Sequence, residues 1–281
     1  MRAPAVQRLA VSLRDGDAVA LVDTVSRQLA ATVPTGAGTR PTRLALDPDG
    51  RRLWVGLDGS AEVLALDLAQ GRVLARIPTG RGLHTLSAPA SSPWLFVTHS
   101  AAGSVSLIDR ATLRRVAELP VGATPVAAAW SESAQRLAVL SANGGGLALV
   151  DGAAQRVAAT VPLPRGTLAM GLFDEGRRAL VLNMRSSTLT LIDLASARVV
   201  AERALPEQPD QLAFTRDFAY VRSLSTPTVQ LISLAAAREG RLEGPAVPMG
   251  RRAPDEASDA INVAAAMAPA WRLSKSVSLR V

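Results

Sequence analysis

Two histidines, His84 and His99, and one aspartate, Asp210, are the residues of this chain whose types best suit chemistry. An imidazole can serve as a general base or as a ligand to a metal or haem iron. Beside them stand Arg40, Arg43, Arg81, Arg165, Arg185 and Arg222, spaced so that all six fall on loops or strand starts predicted for one face. Guanidinium groups that converge bind carboxylates or phosphates through paired hydrogen bonds, which suits a small anionic ligand or a carboxylate-bearing cofactor. The alternative for these arginines is a solvated rim on an arginine-rich protein. The chain has no cysteine, which excludes disulfides, thiol nucleophiles and thiolate metal sites. Two histidines alone fall short of the three or four ligands of a strong metal centre, so no metal is expected.

A second group of acids is too regular to be catalytic. Asp23, Asp67, Asp109, Asp151 and Asp193 each end a short apolar run, and Ser233 takes the sixth place. An acid at every repeated strand end most simply accepts backbone N–H groups in the turn that follows. Gly36-Ala37-Gly38 and Gly80-Arg81-Gly82 lack the third glycine and the helix of a dinucleotide site. There is no phosphate-binding loop or serine nucleophile elbow, and Asp47-Pro48-Asp49-Gly50 lacks the spacing of a calcium loop.

The acids step by 44, 42 and 42 residues to Asp151, by 42 more to Asp193 and by 40 to Ser233. Proline-led turns at Pro34, Pro78, Pro120, Pro162, Pro206 and Pro248 keep the same phase, as do short strands centred on Val55, Val97, Val139, Val181 and Val221. Self-similarity at about 40–45 residues, with several short strands per repeat, marks the blades of a β-propeller. Within residues 40–80, Thr42–Leu46, Arg52–Gly56, Val63–Leu66 and Arg72–Ile77 read as four antiparallel strands. Between the first two, Asp47-Pro48-Asp49-Gly50 supplies a reverse turn. About six blades are encoded, and a strand at Ile261–Ala266 is placed to complete the N-terminal set and close the ring. Residues 1–270 form one domain, and 271–281 read as an irregular tail, truncated or shifted in frame.

The period also orders the candidate residues. First strands bring Thr42, His84, Val126, Leu168 and Asp210 to one level at the mouth of the central channel, with Pro41, Pro125 and Pro209 just before three of them. His84 and Asp210, three blades apart, are expected on opposite sides of that channel. His99 ends a second strand in the same blade as His84, where the two could share a ligand.

Composition narrows the partners. Of 31 basic residues only Lys275 is lysine, the net charge is +7, and the arginines are scattered. Aromatic residues make up only 3% of the chain, too few for the stacking platforms of a single-strand nucleic-acid binder, so nucleic acid is excluded. No apolar run approaches the length of a membrane span, and the N-terminus lacks the apolar stretch of a signal peptide.

The second strands run Leu53-Trp54-Val55-Gly56, Leu95-Phe96-Val97-Thr98-His99, Leu137-Ala138-Val139-Leu140 and Ala179-Leu180-Val181-Leu182-Asn183. With the Pro-Asp-Gly turn before them and Ile-Asp after, these repeats resemble the YVTN-type β-propeller family over roughly residues 10–250. That family is usually seven-bladed and mostly exported, and the wider group includes the haem d1-binding propellers of nitrite reductases and rings with lactonase chemistry. The resemblance implies a periplasmic or exported protein; a genuine N-terminus without a signal would make it cytoplasmic. It also implies a haem-type cofactor as one alternative, with His84 or His99 on the iron and arginines on its carboxylates. The residues themselves favour a non-enzymatic binding or scaffold propeller that takes a small anionic ligand or a protein partner through His84, His99, Arg43, Arg81, Arg165 and Asp210.

Overall fold

The structure is a computed structural model in which residues 8–249 are described. The tail at 271–281 and the closing strand at 261–266 lie outside the described residues. Among the described residues six antiparallel sheets follow one another along the chain. The first has three strands, β1 (Arg8–Leu13), β2 (Ala18–Asp23) and β3 (Gln28–Pro34). The second holds β4 (Pro41–Leu46), β5 (Arg52–Leu57), β6 (Glu62–Asp67) and β7 (Arg72–Pro78), and the third β8 (Leu83–Ser87), β9 (Trp94–His99), β10 (Ser104–Asp109) and β11 (Arg114–Pro120). The fourth holds β12 (Pro125–Ser131), β13 (Arg136–Ser141), β14 (Leu147–Asp151) and β15 (Arg156–Val161). The fifth holds β16 (Thr167–Phe173), β17 (Arg178–Asn183), β18 (Thr188–Asp193) and β19 (Arg198–Ala204). The sixth holds β20 (Pro209–Phe214), β21 (Phe218–Ser223), β22 (Thr228–Ser233) and β23 (Ala246–Pro248). No helix among the described residues is long and apolar enough to cross a membrane.

The chain divides into two compact units, the first ending at Pro120 and the second beginning at Val121. Each contains three sheets, and each is built by packing sheet on sheet. In the first unit Val19 and Leu21 pack with Val55, Leu57, Leu64 and Leu66, and Trp54 and Val63 with Leu86, Leu95 and Val97. In the second, Leu140, Leu147 and Leu149 meet Ala179, Val181 and Ile192, while Leu182 and Leu191 meet Val221 and Ile232. The central strands are therefore apolar on both faces, and burying one such Val or Leu contributes about 1.5–3 kcal/mol. Two glycines admit bulk from the next sheet. A Cβ at Gly56 would lie 2.6 Å from Leu83, and one at Gly171 would lie 1.9 Å from the Phe214 ring.

The regular acids hold turns. Asp23 Oδ1 accepts the N–H groups of Val25 and Ser26 at 2.8 and 2.9 Å, and Asp67 and Asp109 repeat the pair with Ala69, Gln70, Ala111 and Thr112. Asp151 and Asp193 accept from Ala154 and Ser196. Ser233 does the same work in another setting: its hydroxyl caps a short helix, α1 (Leu234–Arg238), which the repeat did not foretell. The Asp47–Gly50 turn closes as its chemistry requires, with the Gly50 N–H donating to the Asp47 carbonyl at 2.9 Å and Gly50 at a φ of 71°.

Arginine links neighbouring sheets. Arg8 at the start of β1, Arg52 of β5 and Arg178 of β17 donate to the carbonyls of Leu68, Arg110 and Ala237, each just past the third strand of the following sheet. Arg76 reaches back to Thr35 and Arg203 forward to Leu242 and Gly244. A guanidinium suits this role because it presents several donors while its stem packs on apolar surface. At the end of the first unit opposite the candidate residues, Asp47 gathers a buried network: it accepts from Trp54 Nε1 at 2.7 Å and Arg110 Nη1 at 3.2 Å, with Arg52 3.6 Å away.

Candidate functional site

Two kinds of connection meet at one end of the sheets, and the meeting recurs. The N–H groups of Asp58, Ser100, Ala142, Met184 and Leu224, each just past a second strand, donate to the carbonyls of Arg40, Gly82, Thr124, Gly166 and Gln208, each just before a first strand. All five acceptors have positive φ, between 48° and 97°. Only two are glycine, so the other three hold a left-handed backbone at some cost. The contact brings the loop into each first strand against the turn between second and third strands, and defines a loop end for each unit.

Immediately inside that end every first strand is bulged. The register slips between Pro41 and Arg43, Leu83 and Thr85, Pro125 and Ala127, Thr167 and Ala169, and Pro209 and Gln211. The residues skipped are Thr42, His84, Val126, Leu168 and Asp210, the set aligned by the period. A bulge leaves its extra residue outside the ladder and re-aims its side chain. Within each unit the first strands neighbour one another, β4 beside β8 and β16 beside both β12 and β20, so the bulges form a row.

His84 is half-buried at its bulge, with Arg81 exposed three residues earlier and Arg43 half-buried on neighbouring β4. Asp210 is held by a bidentate pair with Arg222, whose Nε donates to Oδ1 at 3.0 Å and whose Nη2 donates to Oδ2. The same contact raises the Arg222 pKa above its ordinary value. Arg40, Arg165 and Arg185 are exposed, and a Cβ on Gly166 would lie 2.4 Å from that of Arg185, so Arg165 and Arg185 share one corner of the fifth sheet.

His99 is enclosed, with a relative exposure of 0%. Its Nε2 lies 2.9 Å from Ser106 Oγ and 3.4 Å from the N–H of Gly80. The Gly80 N–H can only donate, so Nε2 accepts and the neutral ring carries its proton on Nδ1, which is buried without a hydrogen-bond partner. Burial pushes the His99 pKa down, Glu118 opposes that shift and Arg115 adds to it. Glu118 is itself engaged by Ser104 at 2.8 Å and Arg115 at 2.7 Å. A Cβ on Gly80 would stand 2.9 Å from the ring and 3.2 Å from Glu118, so the loop into β8 is wedged against the imidazole. The equivalent residues of other sheets do the same work: Ser141 donates to the carbonyl of Val121, Asn183 to those of Pro164 and Arg165, and Ser223 to that of Pro206. His99 is thus one of a series of polar latches on the loops, and a ring enclosed in this way offers a ligand no surface while the fold is intact. The polar residue recurring at the end of the second strand was the sequence signal for it.

Three apolar residues at the same end carry no such signal. Leu168 at a bulge, Met184 just past β17 and Leu224 just past β21 are 38%, 39% and 63% exposed. No cluster of three or more metal-ligating side chains occurs among the described residues.

No protein-family model matches the sequence, and no curated protein matches it. Solved structures do. The hydrazine synthase of Kuenenia stuttgartiensis aligns with 83% of this chain and 75% of its own at a TM-score of 0.63 and 16% identity. Dihydro-haem d1 dehydrogenase NirN, in complex with DHE, aligns at 0.65 and 17% identity over 84% of this chain, which spans about half (53%) of that protein. A chain of the mitotic checkpoint complex aligns at 0.63 and 15% identity, covering 81% of this chain and 71% of its own. At these identities the likeness is one of fold: the protein is an all-β β-propeller of antiparallel blades.

Proposed function

We propose that this protein is a non-enzymatic binding propeller that recognises an anionic ligand or partner at the loop end of its blades. One contrast carries the reading. His99 is engaged with Ser106 and Gly80, Asp210 with Arg222 and the repeated aspartates with turn N–H groups, whereas Arg40 and Arg81 stand exposed at the loop end of the first unit and Arg165 and Arg185 at that of the second. Guanidinium groups on short, well-anchored loops bind carboxylate or phosphate with little ordering cost. A melting-temperature screen against inorganic phosphate and citrate tests it, since a ligand that binds only the folded state raises the midpoint with concentration. The expected result is a saturable rise that disappears in the double variant Arg165→Glu, Arg185→Glu, whose two arginines share one corner of the fifth sheet. An unchanged rise in that variant, or a turnover abolished by His84→Ala, contradicts the reading.

A second reading follows from the donor set around one bulge. His84, with Arg81 three residues before it and Arg43 on the neighbouring strand, matches what a haem-type group asks for: an imidazole for the iron and guanidinium groups for its carboxylates. When bound, such a group would supply redox chemistry. His84 would hold it and Arg43 and Arg81 would orient it, while His99 stays with its latch. A Soret band on reconstitution with haem, lost in His84→Ala, is the expected result under this reading; no band rules it out.

A further inference from the structure

We propose that the loop end of the second unit docks an extended peptide segment of a partner protein, one in which acidic and apolar residues alternate. The inference rests on the loop-end reading above and narrows it to a partner class for one unit. Its basis is the company of Leu168, Met184 and Leu224. The Met184 N–H donates to the Gly166 carbonyl at 3.0 Å, which sets Met184 beside the start of β16 where Leu168 bulges out. The Leu224 N–H donates to Gln208 in the same way at the start of β20, and β16 and β20 are neighbours. Three exposed apolar side chains therefore share one end of two adjacent blades, where an isolated one would need no account.

Charge decides the partner. Arg165 and Arg185 flank the apolar residues and are exposed; Asp210 is neutralised by Arg222, and Glu207 is the exposed acid of that loop. A segment with carboxylates beside its apolar side chains meets both features. Methionine adds an adaptable, polarisable contact of the kind used at binding surfaces. A lipid surface fits less well. It asks for a cluster of basic residues and for aromatic anchors, whereas this end offers two exposed arginines, an exposed glutamate and an ion pair.

The test uses the full chain and a fluorescein-labelled peptide of about ten residues in which aspartate alternates with leucine, read by anisotropy. The expected result is saturable binding, weakened by about tenfold or more in Met184→Ser/Leu224→Ser and again in Arg165→Gln/Arg185→Gln. Val25→Ser, at an exposed apolar residue of the first blade, is expected to leave it unchanged, and a lysine-for-aspartate peptide to bind at least about tenfold more weakly. Leu168→Ser serves as an independent variant if the double change lowers the melting temperature. Equal affinity across the variants, no binding, or binding to phosphatidylglycerol vesicles in place of the peptide overturns the proposal. If phosphate or citrate still stabilises the protein through Arg165 and Arg185 while the peptide does not bind, this inference falls and the loop-end reading stands.

Discussion

The two units present equivalent positions at their loop ends and fill them differently. Where the first has Thr42 and His84 on its bulges, the second has Val126, Leu168 and a paired Asp210; where the first has Asp58 and Ser100 past its second strands, the second has Ala142, Met184 and Leu224. The backbone contacts are the same in both, down to the N–H that each of these turn residues donates. The side chains thus change from blade to blade while the backbone contacts beneath them are kept. The opposite ends differ too: the first unit is tied by the buried Asp47 network, and Ser131, at the equivalent place in the fourth blade, makes a lighter contact with the Gly176 carbonyl at 2.6 Å.

The largest effect expected from breaking this comparison is at Asp47. Asp47→Ala strips Trp54, Arg52 and Arg110 of their shared acceptor and leaves two partly buried guanidinium groups with carbonyl partners only, a loss of about 3 kcal/mol, while Ser131→Ala should cost about 1 kcal/mol. Chemical denaturation of the two variants compares them directly. Next comes packing between blades. Gly171→Ala drives a methyl into the Phe214 ring and should cost about 1–3 kcal/mol, whereas Gly56→Ala meets only the flexible end of Leu83 and should cost less.

A smaller effect concerns acid. The neutral form of His99 is favoured in the fold because burial holds its pKa below the ordinary 6.5. A base with a depressed folded pKa binds fewer protons folded than unfolded, so its contribution is fully present above about 6.5 and declines as pH falls from there toward the folded pKa. Melting temperature should therefore drop with acidification below that point, and His99→Asn, which copies the latch of the fifth blade, should flatten the drop. An equal slope in both proteins would show that His99 does not carry it. The smallest effect on stability is expected at Leu168→Ser, within about 0.5 kcal/mol, because the side chain is exposed.

The parts of the fold that repeat were legible in the sequence. Each aspartate at a strand end, each proline turn and the four strands of residues 40–80 are local consequences of turn chemistry and of period, and the strands formed within a residue or two of where they were expected. What was not legible depends on contacts between repeats. Arg52 reads as one more surface arginine until the Arg110 carbonyl is placed opposite it. His99 stood out by type, yet alignment with Ser141, Asn183 and Ser223 explains it as a latch, and the Gly80 wedge beside it needs coordinates. Leu168, Met184 and Leu224 looked like any other apolar residues of a β-rich chain, because burial is decided by neighbours and not by type.

Hydrogen–deuterium exchange on the full chain, with and without the aspartate–leucine peptide, tests the central claim most directly, that recognition belongs to the loop end of the second unit. Protection confined to residues 163–168, 182–187 and 222–226 is the predicted result. Protection confined to the outer strands, or to the turns that follow Asp151 and Asp193 at the other end of the blades, would contradict it.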